Sequence, residues 1–77
     1  MNKVILRFCT VKSGEVFEVV FDRRLSFLEN FALLKTISSY FIDEHSYIID
    51  IERHLALKKD VPLSSFDLPN FRTLYLF

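Results

Sequence analysis

Hydrophobic and polar residues alternate with a period of two in several stretches, the spacing of strands with one buried face. The first stretch runs from Lys3 to Cys9 and the second from Glu15 to Phe21. The polar segment between them ends in Gly14, the residue that adopts positive φ at no steric cost. Because the connection is short, we expect an antiparallel hairpin. Another alternating stretch runs from Arg72 to Phe77.

The spacing changes to that of a helix after the second stretch. Ser26 followed by Glu29 fits a capping box, so we predict a helix from Phe27 to Phe41. Leu33 and Tyr40 fall on its wet side. One stripe of this helix consists of Phe27, Phe31, Leu34, Ser38 and Phe41, and Ile37 lies beside it.

The segment from Tyr47 to Glu52 is predicted to be a third strand, and Arg53 to Ala56 a short edge strand. Pro62 to Asn70 is expected to be irregular. These elements predict an α+β fold, a single domain over residues 1–77, with a mixed sheet of four to five strands. One helix covers one face of such a sheet and leaves the other open. In a compact arrangement the last strand lies parallel to the first.

The strand and helix periodicities also predict which side chains form the core. Tyr47, Ile49 and Ile51 share one face of the third strand, and Ile48, Asp50 and Glu52 share the other. The predicted core is Val4, Leu6, Phe8, Phe17, Val19, Phe31, Leu34, Ile49, Ile51, Leu63, Leu74 and Leu76.

The order of these segments resembles the ubiquitin-like β-grasp family over nearly the whole chain. The hairpin turn at Gly14, the helix capped by Ser26 and the stretch from Leu57 to Leu68 follow the family's spacing. The most specific part is Pro62 to Leu68 followed by Arg72 to Leu76, which resembles the family's leucine-serine-aromatic turn of 3₁₀ type. This resemblance implies a β-grasp fold.

The sequence departs from conjugated ubiquitins and sulfur carriers, which end in a diglycine tail. No glycine follows Gly14, and the sequence stops at Phe77 within the last predicted strand. We therefore expect a protein that is not conjugated through its C-terminus. Its length and ending resemble the YukD family, small bacterial ubiquitin-like proteins linked to type VII secretion.

Composition and charge exclude several classes of protein. Apolar residues make up 51% of the 77 residues, too many for a disordered chain. Ten basic residues balance ten acidic ones, so no excess charge favours nucleic acid. No apolar run exceeds four residues, which is too short to cross a bilayer, and no signal peptide is recognisable. We expect a cytoplasmic protein without membrane insertion.

Candidate chemical groups are few, and each has a structural explanation that we favour. Cys9 lies near Arg7, but a small residue at a strand end explains it; one cysteine also forms no internal disulfide. His45, His54 and the basic pairs are read as solvated loop residues. We therefore expect no enzyme, cofactor or metal site. The groups considered are Cys9, Arg23-Arg24, Asp43-Glu44-His45, His54, Lys58-Lys59 and Ser64-Ser65.

The open face of the predicted sheet is the feature that points to function, because an apolar patch rimmed by charge usually marks a partner site. In ubiquitin this face is the main recognition surface, which the resemblance implies for Tyr75 and Phe77. We expect a protein-binding module, an accessory subunit of a larger assembly such as a type VII secretion system. The alternatives are a homodimer through this face and a degenerate modifier or carrier. The predicted site residues are Ile5, Val16, Val20, Ile48, Tyr75 and Phe77.

Overall fold

The computed structural model of the chain describes residues 2–34 and 47–77. Within them lie one helix and a five-stranded mixed sheet, which confirms the predicted α+β class. Two short 3₁₀ turns, Ile51–Arg53 and Leu63–Ser65, lie between strands. The strands and helix in chain order are β1 Lys3–Thr10, β2 Val16–Asp22, α1 Phe27–Leu34, β3 Ile48–Asp50, β4 Leu55–Leu57 and β5 Arg72–Leu76.

The sheet has the strand order β2-β1-β5-β3-β4. β1 and β2 form the predicted antiparallel hairpin, and Gly14 in its turn has a φ of 72°. β5 lies between β1 and β3, parallel to the first and antiparallel to the second. The parallel pairing of the first and last strands is therefore confirmed. Together with the single described helix on one face, this is the β-grasp arrangement.

Helix α1 begins at the predicted capping box. The backbone N–H of Glu29 donates to Oγ of Ser26 at 3.1 Å, and the backbone N–H of Ser26 donates to Oε1 of Glu29 at 3.0 Å. These two bonds satisfy donors that a helix start leaves without partners. Phe27 and Phe31 point from the helix into the sheet, where both rings contact Phe8.

The core lies between α1 and one face of the sheet. Four phenylalanine rings contact one another there at centroid distances from 5.1 to 6.4 Å. Aromatic packing of this kind contributes beyond the area that it buries, which matters in so short a chain. The buried apolar residues are Val4, Leu6, Phe8, Phe21, Phe27, Phe31, Ile48, Leu57, Leu63, Leu68, Leu74 and Leu76.

The predicted faces of β3 are wrong. Ile48 and Asp50 point into the core, while Ile49 is only half-buried and Ile51 is 46% exposed. The alternation of apolar residues favoured the opposite phase because a carboxylate is seldom buried. The structure buries Asp50 with Arg53 and Arg72 at 3.6 and 3.7 Å from its two oxygens, neither of which accepts a hydrogen bond within the described part of the chain.

Other departures concern how far the core extends. Three residues of the predicted core are only half-buried and pack against the margin of the core: Phe17, Val19 and Leu34. Phe17 and Val19 lie on β2, an edge strand of the sheet, where cover by neighbouring strands is least. The predicted core lacks five residues that are buried: Phe21, Phe27, Ile48, Leu57 and Leu68.

The third strand is also shorter than predicted, because the 3₁₀ turn Ile51–Arg53 ends it. His54 closes this turn in the left-handed conformation with a φ of 53° and redirects the chain into β4. The edge strand is consequently Leu55–Leu57 and not the predicted Arg53 to Ala56.

Several predictions fall outside the described residues. These are the helix beyond Leu34, including Ile37, Ser38, Tyr40 and Phe41, and the segment Asp43-Glu44-His45. Among the residues that are described, no helix has the length and apolar character needed to cross a membrane.

Candidate functional site

The candidate site is the open face, which we define as the side of the sheet opposite α1. Strand alternation places its residues. Along β1, Val4, Leu6 and Phe8 are buried against the helix, so the intervening Ile5 and Cys9 point to the open face. Within the described part of the chain, no helix or strand packs on this side. The open face contains apolar side chains, one ion pair and one aromatic pair.

One apolar row of the open face crosses all five strands through Tyr75. Tyr75 is the register partner of Cys9 on one side and of Ile49 on the other. Cys9 in turn pairs with Val16, and Ile49 pairs with Ala56. Side chains opposite one another on one sheet face are in contact distance, so this row is continuous. Tyr75 lies at its centre and is half-buried by its neighbours.

An ion pair divides the open face. Nη2 and Nε of Arg7 donate to Oε2 of Glu18 at 2.8 and 3.2 Å. Arg7 is also the register partner of Thr73, so the polar row runs Glu18–Arg7–Thr73 over β2, β1 and β5. Both charged side chains are more than two-fifths exposed, at 42% and 47%. Such a pair contributes little to stability but imposes a charge pattern on any partner.

A second apolar patch lies beyond the ion pair and consists of Ile5 and Val20. Ile5 and Val20 are register partners, and Val20 is 61% exposed. The backbone N–H of Phe71 donates to the carbonyl of Ile5 at 2.6 Å. Phe71 has a φ of 66° and is 56% exposed, an unusual position for a bulky side chain.

An aromatic pair extends the other end of the face. The backbone groups of Tyr47 and Phe77 exchange two hydrogen bonds, at 3.3 and 3.0 Å. Tyr47 is 65% exposed and Phe77 50%. Phe77 is two residues after Tyr75, so strand alternation directs its side chain to the open face.

Five of the six predicted site residues lie together on the open face: Ile5, Val16, Val20, Tyr75 and Phe77. The position predicted for Ile48 is wrong, because this side chain is 1% exposed and lies in the core. Ile49 takes the place that was predicted for Ile48, beside Tyr75. Ile48 and Asp50 are buried together, so the two faces of β3 are the reverse of those predicted. The pattern of apolar residues along β3 does not indicate that Asp50 is buried.

The open face mixes apolar and charged side chains. It presents half-buried and exposed apolar side chains around one ion pair, which suits desolvation against another protein. Within residues 2–34 and 47–77, no three His, Cys, Asp or Glu side chains are grouped so as to hold a metal ion.

Comparison with known proteins identifies the fold. No protein-family model matches the sequence, and no curated protein sequence matches it either. A chain from a structure of SUMO mimicry that promotes DNA repair matches with a TM-score of 0.79 at 10% identity, over 100% of this chain and 92% of that one. The ubiquitin-like domain of Plasmodium falciparum Dsk2 matches with a TM-score of 0.72 at 18% identity, over 96% of this chain and 95% of that one.

A third similar structure is a chain of the MycP5-free ESX-5 inner membrane complex. It matches with a TM-score of 0.66 at 10% identity, over 100% of this chain but only 21% of that one. These similarities, with the sheet order and the helix position, show that the protein has the ubiquitin-like β-grasp fold.

Proposed function

We propose that this chain is a cytoplasmic protein-binding module that acts through the open face. It works as a non-conjugated, non-enzymatic accessory subunit of a larger assembly. The observation that carries the proposal is the apolar row Val16–Cys9–Tyr75–Ile49–Ala56, which spans the whole sheet. An apolar patch rimmed by charge usually marks a partner site, which supports the proposal.

The open face also has the anatomy of a recognition surface. Tyr75 has an apolar ring with a hydroxyl that can donate a hydrogen bond, which is the chemistry of an anchor residue. The ion pair Arg7–Glu18 supplies polar groups beside the apolar row. A partner would gain affinity from the apolar row and specificity from matching this charge pair.

The similarity to part of a chain in the ESX-5 inner membrane complex supports a role within an assembly. Together with the resemblance to the YukD family, it directs the proposal to a type VII secretion system. A protein component of that machinery is therefore the partner that we propose for the open face.

The test is affinity capture from native cells, followed by titration of the purified partner. The variant Tyr75→Ala/Ile49→Ala removes two side chains at the centre of the row. We expect it to bind at least tenfold more weakly, a loss of about 1.4 kcal/mol. The matched control is Leu28→Ala, which truncates a 38% exposed apolar side chain on α1, away from the open face.

The proposal predicts full binding by Leu28→Ala and weak binding by the double variant, with both folded by circular dichroism. Equal binding by all three proteins would exclude the open face. Intact-mass measurement of the native protein tests the non-conjugated part separately, because a covalent adduct at the C-terminal carboxylate would contradict it.

A further inference from the structure

The edge strand β2 has a sequence that favours pairing with further strands. It reads VFEVVFD, rich in valine and phenylalanine, and its register with β1 runs from Val16 to Asp22 without a bulge. The opposite edge strand, β4, has only three residues. A long apolar edge is a surface on which copies of a protein aggregate, so natural sheets protect such edges. The protection of β2 can be followed residue by residue.

The hydrogen bonds of the hairpin fix which backbone groups of β2 point outward. The N–H of Thr10 donates to the carbonyl of Glu15 at 2.8 Å, and the N–H of Arg23 donates to the carbonyl of Asn2 at 2.6 Å. Bonded pairs alternate along an antiparallel ladder, so the odd-numbered residues of β2 are bonded to β1. The backbone groups that point to the free edge are therefore those of Val16, Glu18, Val20 and Asp22.

Asn30 of helix α1 closes one end of this edge. Its side chain is buried, its Oδ1 accepts a hydrogen bond from the backbone N–H of Asp22 at 2.9 Å, and its Nδ2 donates to the carbonyl of Asp22 at 3.0 Å. The Asn30 amide thus occupies both outward groups of Asp22, as a neighbouring strand would. Among the described residues, nothing fills the corresponding groups of Val16, Glu18 and Val20.

Two copies of β2 that meet edge to edge must pair through these three free residues. Antiparallel pairing centred on Glu18 uses all three, because Val16 of each copy then lies opposite Val20 of the other. The same register places the two Glu18 side chains opposite each other, where like charges destabilise a sheet. Arg7 of each copy offsets part of this repulsion, but the two carboxylates, now 47% exposed, would also lose hydration.

Moving the centre of the pairing to Val19 would relieve this conflict, since each Glu18 would then lie opposite a valine. The shifted register requires Asp22 of each copy to bond with Val16 of the other. The Asn30 amide already occupies both of the groups that Asp22 would need. Asn30 therefore blocks a register that Glu18 by itself would leave open.

Moving the centre to Phe17 fails at the other end of the strand. Val20 would then lie opposite Gly14, which belongs to the hairpin turn and not to β2. We propose that Glu18 and Asn30 together close the β2 edge to copies of the same chain. Glu18 opposes the one register that uses every free residue, and Asn30 shortens the alternative. This inference goes beyond the proposed function, because it concerns the sheet edge and not the open face.

Sedimentation of the full chain between about 1 µM and about 1 mM measures self-association, at about 0.15 M salt to screen distant charges. We expect wild type to stay monomeric. Glu18→Thr removes the carboxylate and keeps a residue that favours strands, so it should self-associate at least tenfold more tightly than wild type. The matched control Glu18→Asp keeps the charge and should stay monomeric.

The variant Asn30→Leu/Glu18→Thr removes both protections. It should self-associate at least tenfold more tightly than Glu18→Thr, because the groups of Asp22 become free to pair. Hydrogen exchange locates the contact: the amides at positions 18 and 20 should become protected with rising concentration in both self-associating variants and not in wild type. In wild type the Asp22 amide should be protected at every concentration by its bond to Asn30, which tests Asn30 even if the double variant does not fold.

Three results would overturn the inference. The first is a wild-type protein whose Glu18 and Val20 amides become protected as its concentration rises. The second is a folded Glu18→Thr variant that stays monomeric over the whole range. The third is a wild-type Asp22 amide that exchanges as fast as that of Val20, which would remove the role assigned to Asn30.

Discussion

Oδ1 of Asp50, the last residue of β3, lies 3.7 Å from Nη1 of Arg72, the first residue of β5, and the Asp50 side chain is completely buried. Its second oxygen lies 3.6 Å from Nε of Arg53. Arg72 also contacts Glu52, and Arg53 donates to the carbonyl of Asp67 at 2.7 Å. This group of charges fixes the faces of β3, because turning the strand over would separate Asp50 from both arginines.

Removing one member of this group should be costly. We expect Asp50→Ala to lower the free energy of unfolding by less than the about 3–5 kcal/mol that an uncompensated buried charge costs, because Arg72 keeps its contact with Glu52. Urea titration followed by circular dichroism measures the change.

The matched control replaces both partners with apolar side chains. Asp50→Leu/Arg72→Met should be more stable than Asp50→Ala, since no uncompensated charge stays buried. If the double variant were the less stable of the two, the pairing of Asp50 with Arg72 would not be what stabilises this part of the sheet.

Two adjacent isoleucines should lose different amounts of unfolding free energy on truncation. Ile48→Ala opens a cavity in the core and should cost about 2–5 kcal/mol of unfolding free energy. Ile49→Ala should cost clearly less, because Ile49 is half-buried on the open face. Denaturant titration of the two single variants measures both losses of unfolding free energy. A greater loss for Ile49→Ala would show that the sequence-based faces of β3 were correct.

Asp22 should make stability depend on pH. Hydrogen bonds from the side chain and then the backbone of Arg24 lower the pKa of Asp22 below its ordinary value of 3.8, with a smaller contribution from Lys3. A lowered pKa in the folded state contributes stability that is present above the unfolded value and lost as pH falls toward the folded value. Stability should therefore decrease as the pH falls below about 4.

The comparison is with Asp22→Asn, measured by urea unfolding at a series of pH values. This variant should be less stable than wild type at neutral pH, and the difference should shrink as the solution becomes acidic. A difference that is constant over the series would contradict the role assigned to the Asp22 carboxylate.

Removing the Ser26 hydroxyl tests the capping box at the start of α1. Ser26→Ala removes the acceptor of the Glu29 backbone N–H and should cost about 0.5–2 kcal/mol. Ser65→Ala is the control, because Ser65 is exposed and its change should stay within about 0.5 kcal/mol. Thermal unfolding monitored by circular dichroism measures both. Equal melting temperatures for the two variants would exclude a capping role for Ser26.

Most of the architecture was predictable from local patterns. The turn at Gly14, the cap at Ser26 and the alternation in β1 each depend on residues a few positions apart, so the sequence contains them directly. The left-handed backbone of Phe71 was not predictable. Its N–H donates to the carbonyl of Ile5, a residue far away in the sequence.

The sequence by itself determined the helix start, the hairpin and most of the open face, because periodicity and capping are local properties. The tertiary structure decided which side of β3 faces the helix. Both faces of that strand carry isoleucines. By hydrophobicity alone, Asp50 is the residue that separates the two faces, and it indicates that its own face is the exposed one. The burial of Asp50 depends on Arg72, which reaches it only when β5 lies beside β3. An interaction between strands so distant in sequence leaves no pattern among neighbouring residues. Only the tertiary structure therefore shows that Ile48 lies in the core and Ile49 at the candidate site.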